Sequence, residues 1–178
     1  MEQQVLNIHE DLIARCKAGD RDAYYRLYKL YSRAMFNVGY RITRSEQDAE
    51  DALQEAFISA FRSLESYRGD AAFGAWLKRI VVNKAINITR KRKHEPMPEQ
   101  EQRDVAEEAD TAEYKEGLTV DRVKRAIEQL PDGYRAVLSL YLLEGYDHEE
   151  IGEILAISES TSKSQLNRAK VKLRELLK

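Results

Sequence analysis

The chain has few of the residues that crosslink small domains or bind metals. Cys16 is the only cysteine, so no internal disulfide can form, and His9, His94 and His148 lie far apart in the sequence. A zinc site needs clustered cysteine and histidine ligands, and a Cys-His catalytic pair needs a matching partner. The sequence supports neither, and we expect no metal and no other cofactor.

Long apolar runs and the short motifs of common enzymes are also missing. The sequence has no run of about 18 apolar residues, and its amino terminus, Met-Glu-Gln-Gln-Val, lacks the basic-then-apolar pattern of a signal peptide. It has neither a glycine-rich phosphate-binding loop nor a Gly-x-Ser-x-Gly motif. We therefore expect a cytoplasmic protein that is not an enzyme, takes no small-molecule substrate and does not insert into a membrane.

Charge divides the chain into three segments. Residues 1–93 hold 17 basic and 12 acidic residues, residues 94–118 hold 2 and 9, and residues 119–178 hold 10 and 10. The middle segment has two prolines, few large apolar residues and one dominant sign of charge, which is typical of a linker. A short helix over residues 106–114 is possible there, because alanine and glutamate favour helices. The prediction is an all-α protein: two small helical domains, 1–93 and 119–178, joined by a flexible acidic linker.

Helical periodicity runs through the first domain. We predict helices over residues 10–18, ended by Gly19, from residue 22 or 23 to about 40, over residues 45–64, and from about residue 73 to the basic end at 90–93. Asp70 is the expected N-cap of the last helix, after a loop in which Gly69 allows positive φ. Apolar spacing predicts that the core contains Tyr24, Leu27, Tyr28, Tyr31, Met35, Val38, Ala49, Leu53, Ala56, Phe57, Ala60, Phe61, Phe73, Trp76, Leu77, Ile80 and Val81.

Two polar features of this domain have alternative interpretations. An acidic and amide patch on the third helix comprises Asp48, Asp51, Gln54 and Glu55. It is either an ordinary solvated face or a docking site for a basic helix. The loop before the fourth helix carries Tyr67, whose ring either covers an unstacked base or packs under the loop.

The stretch 145–177 predicts a helix-turn-helix. Asp147 and Glu150 have capping-box spacing at the first helix, and Ser158 is the expected N-cap of the second. Apolar positions at Ile151, Ile154 and Leu155 in the first helix, and at Leu166, Ala169, Leu173 and Leu176 in the second, leave the opposite side of the second helix polar. That side can donate to phosphates and to base edges in a major groove.

An ordinary helical hairpin with a solvated polar face is the alternative. The charge distribution favours DNA binding. Residues 163–178 have six basic residues and one acidic residue, whereas residues 144–159 have six acidic residues and no lysine or arginine. A recognition helix is expected to be basic where it meets DNA.

Four stretches together resemble a bacterial sigma factor of the extracytoplasmic-function (ECF) group. They are DAEDALQEAF at 48–57, YRGDAAFGAWLKRIVVN at 67–83, LPDGYR at 130–135 and EEIGEIL at 149–155. The resemblance implies an RNA polymerase subunit with two domains, the first melting the −10 element and the last reading the −35 element. The implied partners are core RNA polymerase, promoter DNA and an anti-sigma factor.

The resemblance also implies roles for individual residues. The set matching the polymerase-docking helix is Asp48, Asp51, Gln54 and Glu55. Those matching the −10 loop and −10 helix are Ser66, Tyr67, Arg68, Gly69, Asp70, Asn83, Lys84 and Asn87. Those matching the −35 contacts are Thr161, Lys163, Ser164, Asn167 and Arg168. The linker is expected to thread the polymerase channel near the template strand.

Three positions depart from the usual family pattern. Ala156 stands where the family usually has glycine, and strain is expected there if the backbone is left-handed. Ser162 stands in place of valine, which removes an apolar anchor. Gln165 stands in place of arginine, which is expected to weaken phosphate attraction.

Two other classes of function are compatible with a helix-turn-helix sequence. A stand-alone helix-turn-helix repressor would bind duplex DNA by itself, usually as a dimer, and would have no use for the acidic patch. A module that mimics an anti-sigma factor would lack the −10 loop and the basic helix end.

Overall fold

The chain divides into two units, residues Met1–Lys93 and His94–Lys178, and the described residues of each are mainly helical. The computed structural model describes residues 2–93 and 119–178, with side chains for residues 9–92 and 119–178. The segment 94–118, including the helix predicted over 106–114, lies outside these described residues. The described residues form α-helices, one 3-10 turn and one π-helical segment, without strands. The predicted all-α class is therefore confirmed for this part of the chain.

Four helices form the first unit. They are α1 (Glu2–Lys17), α2 (Arg21–Thr43), α3 (Glu46–Arg62) and α4 (Phe73–Lys93), with a 3-10 turn at Leu64–Ser66. Helices α2, α3 and α4 pack on one another, and α1 packs against α2. The predicted boundaries of α1 and α2 were too short. Helix α1 begins eight residues earlier than expected because residues 2–9 contain no glycine or proline, and α2 continues to Thr43 before a left-handed Arg44 (φ 55°) ends it.

Local side-chain chemistry fixes two of the helix starts. The Asp20 carboxylate accepts hydrogen bonds from the amides of Asp22 and Ala23, and the Ser45 hydroxyl accepts one from the amide of Asp48. Arg15 binds the same Asp20 carboxylate at 2.6 Å, and this hydrogen bond lowers the pKa of Asp20. Asp70 is not at the N-cap of α4, and that prediction was wrong. The helix begins at Phe73, and the Ala72 carbonyl accepts from the amides of Ala75 and Trp76.

The core of the first unit contains most of the residues that periodicity predicted. Buried members include Leu27, Val38, Phe57, Leu77 and Val81. Tyr28, however, is 37% exposed, and Phe61, Trp76 and Ile80 are only half-buried. Edge-on packing between aromatic rings explains part of this exposure. Tyr28 packs edge-on against Phe57, so its ring contributes to the rim of the core rather than to its centre.

The second unit contains four α-helices in its described part. They are α5 (Val120–Glu128), α6 (Asp132–Leu138), α7 (His148–Leu155) and α8 (Glu159–Leu177), and a π-helical segment (Ser139–Leu143) extends α6. Helix α8 packs on α5, α6 and α7. The buried Arg135 donates to the Leu130 carbonyl and binds Asp132 at 2.7 Å, which ties the turn before α6 to the helix itself. None of the described helices is long and apolar enough to span a membrane.

Candidate nucleic-acid interface

The second unit contains the predicted helix-turn-helix, and its first helix begins with a complete capping box. Asp147 Oδ1 accepts from the Glu150 amide at 2.8 Å, and Glu150 Oε2 accepts from the Asp147 amide at 2.9 Å. These bonds satisfy amides that a helix start otherwise leaves unpaired. Ile151, Ile154 and Leu155 are buried against the rest of the unit. Both the cap and the apolar stripe of α7 are confirmed.

The turn between α7 and α8 closes tightly over Gly152. Ala156 is left-handed (φ 54°, ψ 47°), and the amides of Ala156 and Ile157 both donate to the Gly152 carbonyl. A Cβ at position 152 would lie 2.8 Å from the Ile157 carbonyl oxygen, a separation too short for carbon and oxygen. The expected left-handed strain at Ala156 is confirmed and costs about 1–2 kcal/mol. The steric need for Gly152 was not predicted, because it depends on where the turn folds back.

Two substitutions in this turn are expected to change stability in opposite directions. Gly152→Ala should destabilise the chain by about 1–3 kcal/mol, because the Ile157 backbone must move to admit the methyl group. Ala156→Gly should stabilise it by about 1 kcal/mol through relief of the left-handed strain. Urea unfolding of the full chain, followed by circular dichroism, measures both changes.

Gly39→Ala provides the control for the first substitution. Position 39 is also buried and helical, but its Cβ would lie 3.5 Å from the nearest atom, the Ala49 carbonyl oxygen, which is ordinary contact. Helix propensity should then make this change neutral or stabilising by up to about 1 kcal/mol. Equal destabilisation by the changes at Gly152 and Gly39 would contradict the steric explanation.

Helix α8 has one buried face and one polar face. Ser158 caps its start by accepting from the Thr161 amide at 3.0 Å, as predicted. The buried face contains Ser162, Gln165, Leu166 and Ala169. On the other side lie all five residues that the resemblance assigns to the −35 element: Thr161, Lys163, Ser164, Asn167 and Arg168. The structure therefore brings these five residues together on two turns of one helix.

Lys163, Thr161 and Ser164 each make a side-chain contact near the start of α8. Lys163 is exposed and pairs with Glu159 at 2.7 Å, the Thr161 hydroxyl hydrogen-bonds the Ser158 hydroxyl at 2.7 Å, and the Ser164 hydroxyl donates to the Thr161 carbonyl at 3.0 Å. Such contacts hold the side chains in place near the start of the helix. Because the Lys163–Glu159 pair is well exposed, solvent screens it, and the lysine can exchange its partner for a phosphate at little cost.

The structure corrects the expectation about Gln165. This side chain is buried, with only 8% exposed, and its Oε1 has no hydrogen-bond partner among the described residues. It points into the unit rather than toward solvent. A basic residue there would not reach a phosphate from the polar face in this conformation, so the loss of charge at Gln165 does not bear directly on DNA attraction.

Ser162 is also completely buried, but its hydroxyl has a partner. The oxygen lies 2.9 Å from His148 Nδ1, in the first turn of α7. The position therefore carries a polar contact between the two helices where we expected only the loss of an apolar anchor.

In the first unit, the predicted acidic patch divides into paired and solvent-facing residues. Asp48 binds Arg92 at 2.8 Å and Glu55 lies 3.6 Å from Lys84, so both carboxylates contact α4. Asp51 and Gln54 are exposed between them. Both alternatives for the patch require exposed side chains such as these two. The pairs with α4 could not be predicted from the sequence, because they depend on the antiparallel packing of α3 on α4.

A groove between α2 and α3 adjoins this patch. It has a volume of about 380 Å³ and is lined by Tyr28, Ser32, Arg33, Phe36, Glu50, Leu53 and Gln54. Gln54 thus belongs both to the predicted docking set and to the groove. The groove mixes aromatic, apolar and charged groups, which suits a protein surface better than a compact apolar ligand.

The predicted −10 loop is exposed at its tip and braced at its base. Arg68, Gly69 and Asp70 are exposed, and Gly69 has the expected positive φ of 81°. The Ser66 hydroxyl donates to the Ser63 carbonyl at 2.6 Å, and Lys17 donates to the Tyr67 carbonyl at 3.1 Å. These bonds shape the loop without occupying its tip.

Tyr67 packs under the loop, which was the alternative interpretation of this residue. Its ring centroid lies 5.4 Å from that of Phe73 and 5.3 Å from that of Trp76, and its hydroxyl donates to the Ala71 carbonyl at 2.6 Å. Burial raises the pKa of its phenol. The ring therefore supports the loop from below in this structure, and the tip residues are the ones exposed to solvent.

Helix α4 presents its two predicted amide side chains to solvent. Asn83 and Asn87 are exposed and lie one turn apart on the same face. Lys84 is half-buried and points toward Glu55, away from that face. The structure thus joins Asn83 and Asn87 as a pair but separates Lys84 from them.

Together, the two units form a helical protein that presents a helix-turn-helix on one unit and an exposed, braced loop on the other. Family comparisons agree. Residues 27–95 match sigma-70 region 2, and residues 121–173 match sigma-70 region 4.

Related proteins extend the match over nearly the whole chain. The ECF RNA polymerase sigma factor SigM of Mycobacterium tuberculosis is 36% identical over 167 residues, covering 94% of this chain and 83% of SigM. The ECF RNA polymerase sigma factor SigW of Bacillus subtilis is 31% identical over 187 residues, covering 93% of this chain and 95% of SigW. The chain belongs to the ECF sigma factors of RNA polymerase.

A solved structure shows the same fold. The sigma factor RpoE of Bartonella quintana, in complex with the anti-sigma factor NepR, matches 86% of this chain and 96% of its own length, with 25% sequence identity and a TM-score of 0.58.

Proposed function

We propose that this sigma factor directs core RNA polymerase to promoters through three surfaces: the α8 polar face on −35 duplex, the loop 66–70 with Asn83 and Asn87 on melted −10 DNA, and α3 on the polymerase. The observation that carries the proposal is that one chain holds a helix suited to duplex DNA and, on a separate unit, an exposed loop suited to a single base. A protein that only bound duplex would need the first surface alone.

The α8 polar face fits a major groove. Its side chains combine hydroxyl, amide and cationic donors over two turns, and a helix of this kind enters the groove with its first turns against the base edges. The basic residues of α8 supply attraction to the phosphates, whereas the acidic residues of α7 lie on a different helix.

The loop 66–70 fits an extruded base. Base pairs hide their Watson–Crick edges inside the duplex, so a protein that reads those edges must take a base out of the stack. At Gly69 the backbone is uncovered, with open space around the position of a Cβ. Asn83 and Asn87 supply amide donors and acceptors for neighbouring unstacked bases.

Helix α3 fits a partner surface with basic residues. The solvent-facing Asp51 and Gln54 lie beside the groove at Tyr28 and Phe36, giving a small apolar hollow with acidic and amide groups along one side. Charge complementarity at such a rim steers association and fixes its register. Core RNA polymerase is the proposed partner.

The remaining parts of the proposal concern regulation and location. The RpoE relative binds an anti-sigma factor, and we infer that an anti-sigma factor also holds this chain inactive. The acidic segment 94–118 acts as the linker that threads the polymerase channel. The chain works in the cytoplasm as a binding subunit and not as an enzyme.

Binding to duplex DNA in the presence and absence of polymerase separates this function from that of a stand-alone regulator. In a mobility-shift assay with a promoter fragment, we expect a stable complex when core polymerase and the chain are both present, and none with the chain alone. A stand-alone helix-turn-helix regulator would instead shift the fragment by itself, as a dimer on half-sites about one helical turn apart. A dimer complex of that kind without polymerase would overturn the proposal.

Substitutions on α8 should separate base reading from phosphate binding. Arg168→Ala should cost about 1–3 kcal/mol and relax preference at one −35 position, as expected for loss of a base contact. Lys163→Ala should weaken all −35 sequences alike and reduce the salt slope of binding by about one. Binding of the holoenzyme to promoters with single −35 changes, over a range of salt concentrations, measures both.

Lys172→Ala is the matched control. Lys172 is on the same helix, is similarly exposed and pairs with Glu175 at 2.9 Å. It lies on the opposite side of α8 from Lys163 and one turn beyond Arg168, outside the two turns that hold the five −35 residues. Lys172→Ala should change neither the preference among −35 sequences nor the salt slope of binding. If Lys163→Ala and Lys172→Ala behaved identically, the assignment of the α8 face would fail.

A further inference from the structure

Three elements of the second unit meet at His148. Its imidazole stacks on the Tyr141 ring of the π-helical segment, with centroids 4.7 Å apart and planes 19° from parallel. Its Nδ1 lies 2.9 Å from the hydroxyl of Ser162, which is completely buried on α8. His148 itself is in the first turn of α7, directly after the N-cap. One side chain thus joins the π-helical segment, α7 and α8.

We propose that the hydrogen bond between His148 and Ser162 positions the recognition helix α8 against α7, and so sets how well the α8 polar face discriminates −35 sequences. This rests on the proposed function of α8. Ser162 lies between Thr161 and Lys163 and two residues before Ser164. A shift of α8 at Ser162 therefore moves all three of these side chains together. His148 does not itself contact a base in this role and is a positioning residue.

The geometry shows why a polar pair suits this place. An apolar side chain at position 162 would hold α8 only by packing, which tolerates small sliding and rotation. A hydrogen bond at 2.9 Å fixes distance and direction, and a buried hydroxyl that loses its partner is costly. The stacked Tyr141 ring limits the rotation of the imidazole and keeps Nδ1 facing Ser162.

Burial and two nearby ammonium groups favour the neutral imidazole of His148. Burial lowers the pKa of His148 below its ordinary value of 6.5, and the Lys163 and Lys170 ammonium groups lower it too, while Glu159 and Asp147 act in the opposite direction. A histidine with a lowered pKa stabilises the fold fully above pH 6.5, and that stabilisation is lost as the pH falls through the lowered pKa. This pH dependence tests whether the His148 imidazole is buried in solution as it is in the structure.

A double-mutant cycle in the holoenzyme tests the proposal. His148→Phe keeps a stacking ring but removes Nδ1, and Ser162→Ala removes the hydroxyl without adding bulk. Each should reduce the ratio of binding to matched and scrambled −35 promoters by about fivefold, the effect of one hydrogen bond. The double variant should lose no more than either single variant, because both remove the same contact. A general change in phosphate attraction affects binding to both promoters equally, so it does not change this ratio.

The conservative variant His148→Asn separates positioning from simple loss of stability. Its amide can still pair with Ser162, so it should recover most of the −35 ratio, although it lacks the ring. Urea unfolding of the full chain between pH 5 and 8 should show a loss of stability at low pH that disappears in His148→Phe and His148→Asn.

The possible outcomes distinguish failure of the proposed function of α8 from failure of the positioning role of His148. If wild-type holoenzyme does not distinguish matched from scrambled −35 promoters, the proposed function of α8 fails, and the positioning role fails with it. If wild type discriminates but the single variants are additive, or if His148→Asn recovers nothing while remaining folded, only the positioning role is overturned.

Discussion

Reversing the charges at Asp51 and Glu55 is expected to prevent binding to core RNA polymerase while leaving the first unit folded. Asp51 is exposed, and the Glu55 carboxylate is more than half exposed beside Lys84, so neither contributes much to the fold. The free energy of unfolding should change by less than about 0.5 kcal/mol. Opposing a basic surface with two new positive charges should cost several kcal/mol of binding free energy. Co-purification with core polymerase, together with urea unfolding of the variant, measures both quantities.

Two controls locate the effect on α3. Asp11→Lys reverses another exposed carboxylate of the same unit, on α1, and should leave polymerase binding unchanged. The swap Glu55→Lys with Lys84→Glu keeps an ion pair between α3 and α4 but removes the negative charge from α3. We expect the swap to bind as poorly as Glu55→Lys alone. Wild-type yield of core enzyme with the double reversal at Asp51 and Glu55 would contradict the docking assignment.

Removing the tip of the −10 loop is expected to abolish promoter melting without preventing polymerase binding. The tip residues Arg68, Gly69 and Asp70 are exposed, whereas the base is held by Tyr67 and Ser66. Extruding a base costs a few kcal/mol, and the loop must return part of this by holding the base. Permanganate footprinting of thymines in the −10 region, with core polymerase and either wild type or a chain lacking Gly69 and Asp70, measures melting directly.

The matched variant for this experiment is Tyr67→Phe. It keeps the ring against Phe73 and Trp76 and loses only the hydroxyl bond to Ala71. It should melt promoters nearly as well as wild type, since the ring supports the loop from below. Normal melting by the shortened loop on a promoter pre-opened by mismatches, but not on duplex, would place the loop in base capture. Equal thymine reactivity for wild type and the shortened loop on duplex would remove the loop from the mechanism.

Features encoded by neighbouring residues could be predicted from the sequence. The caps at Asp147 and Ser158 each need only a side chain and an amide three residues away, so their spacing identifies them. The apolar stripe of α7 and the positive φ of Gly69 are similarly local. The N-cap predicted at Asp70 was wrong because an aspartate in a loop can cap a helix only if the helix starts at the next residue, and α4 starts at Phe73. Packing of Phe73 into the core begins α4 two residues later than a cap at Asp70 would require.

Features that depend on tertiary packing could not be predicted in this way. The pairs Asp48–Arg92 and Glu55–Lys84 join residues 44 and 29 positions apart, and they form only when α3 and α4 pack antiparallel. The steric requirement for Gly152 arises because the turn brings the Ile157 carbonyl over it, which residue spacing does not reveal. The burial of Gln165 and the partner of Ser162 follow from how α8 rotates against its neighbours. Periodicity identified the faces of the helices, but not their contacts.

Run-off transcription with purified core RNA polymerase, over a promoter library randomised at both elements, tests the central claim most directly. The account predicts that core enzyme alone selects no sequence, and that adding the chain selects promoters with two separate elements, one near −35 and one near −10. Selection of a single palindromic element, or transcription no more selective than that of core enzyme alone, would contradict it.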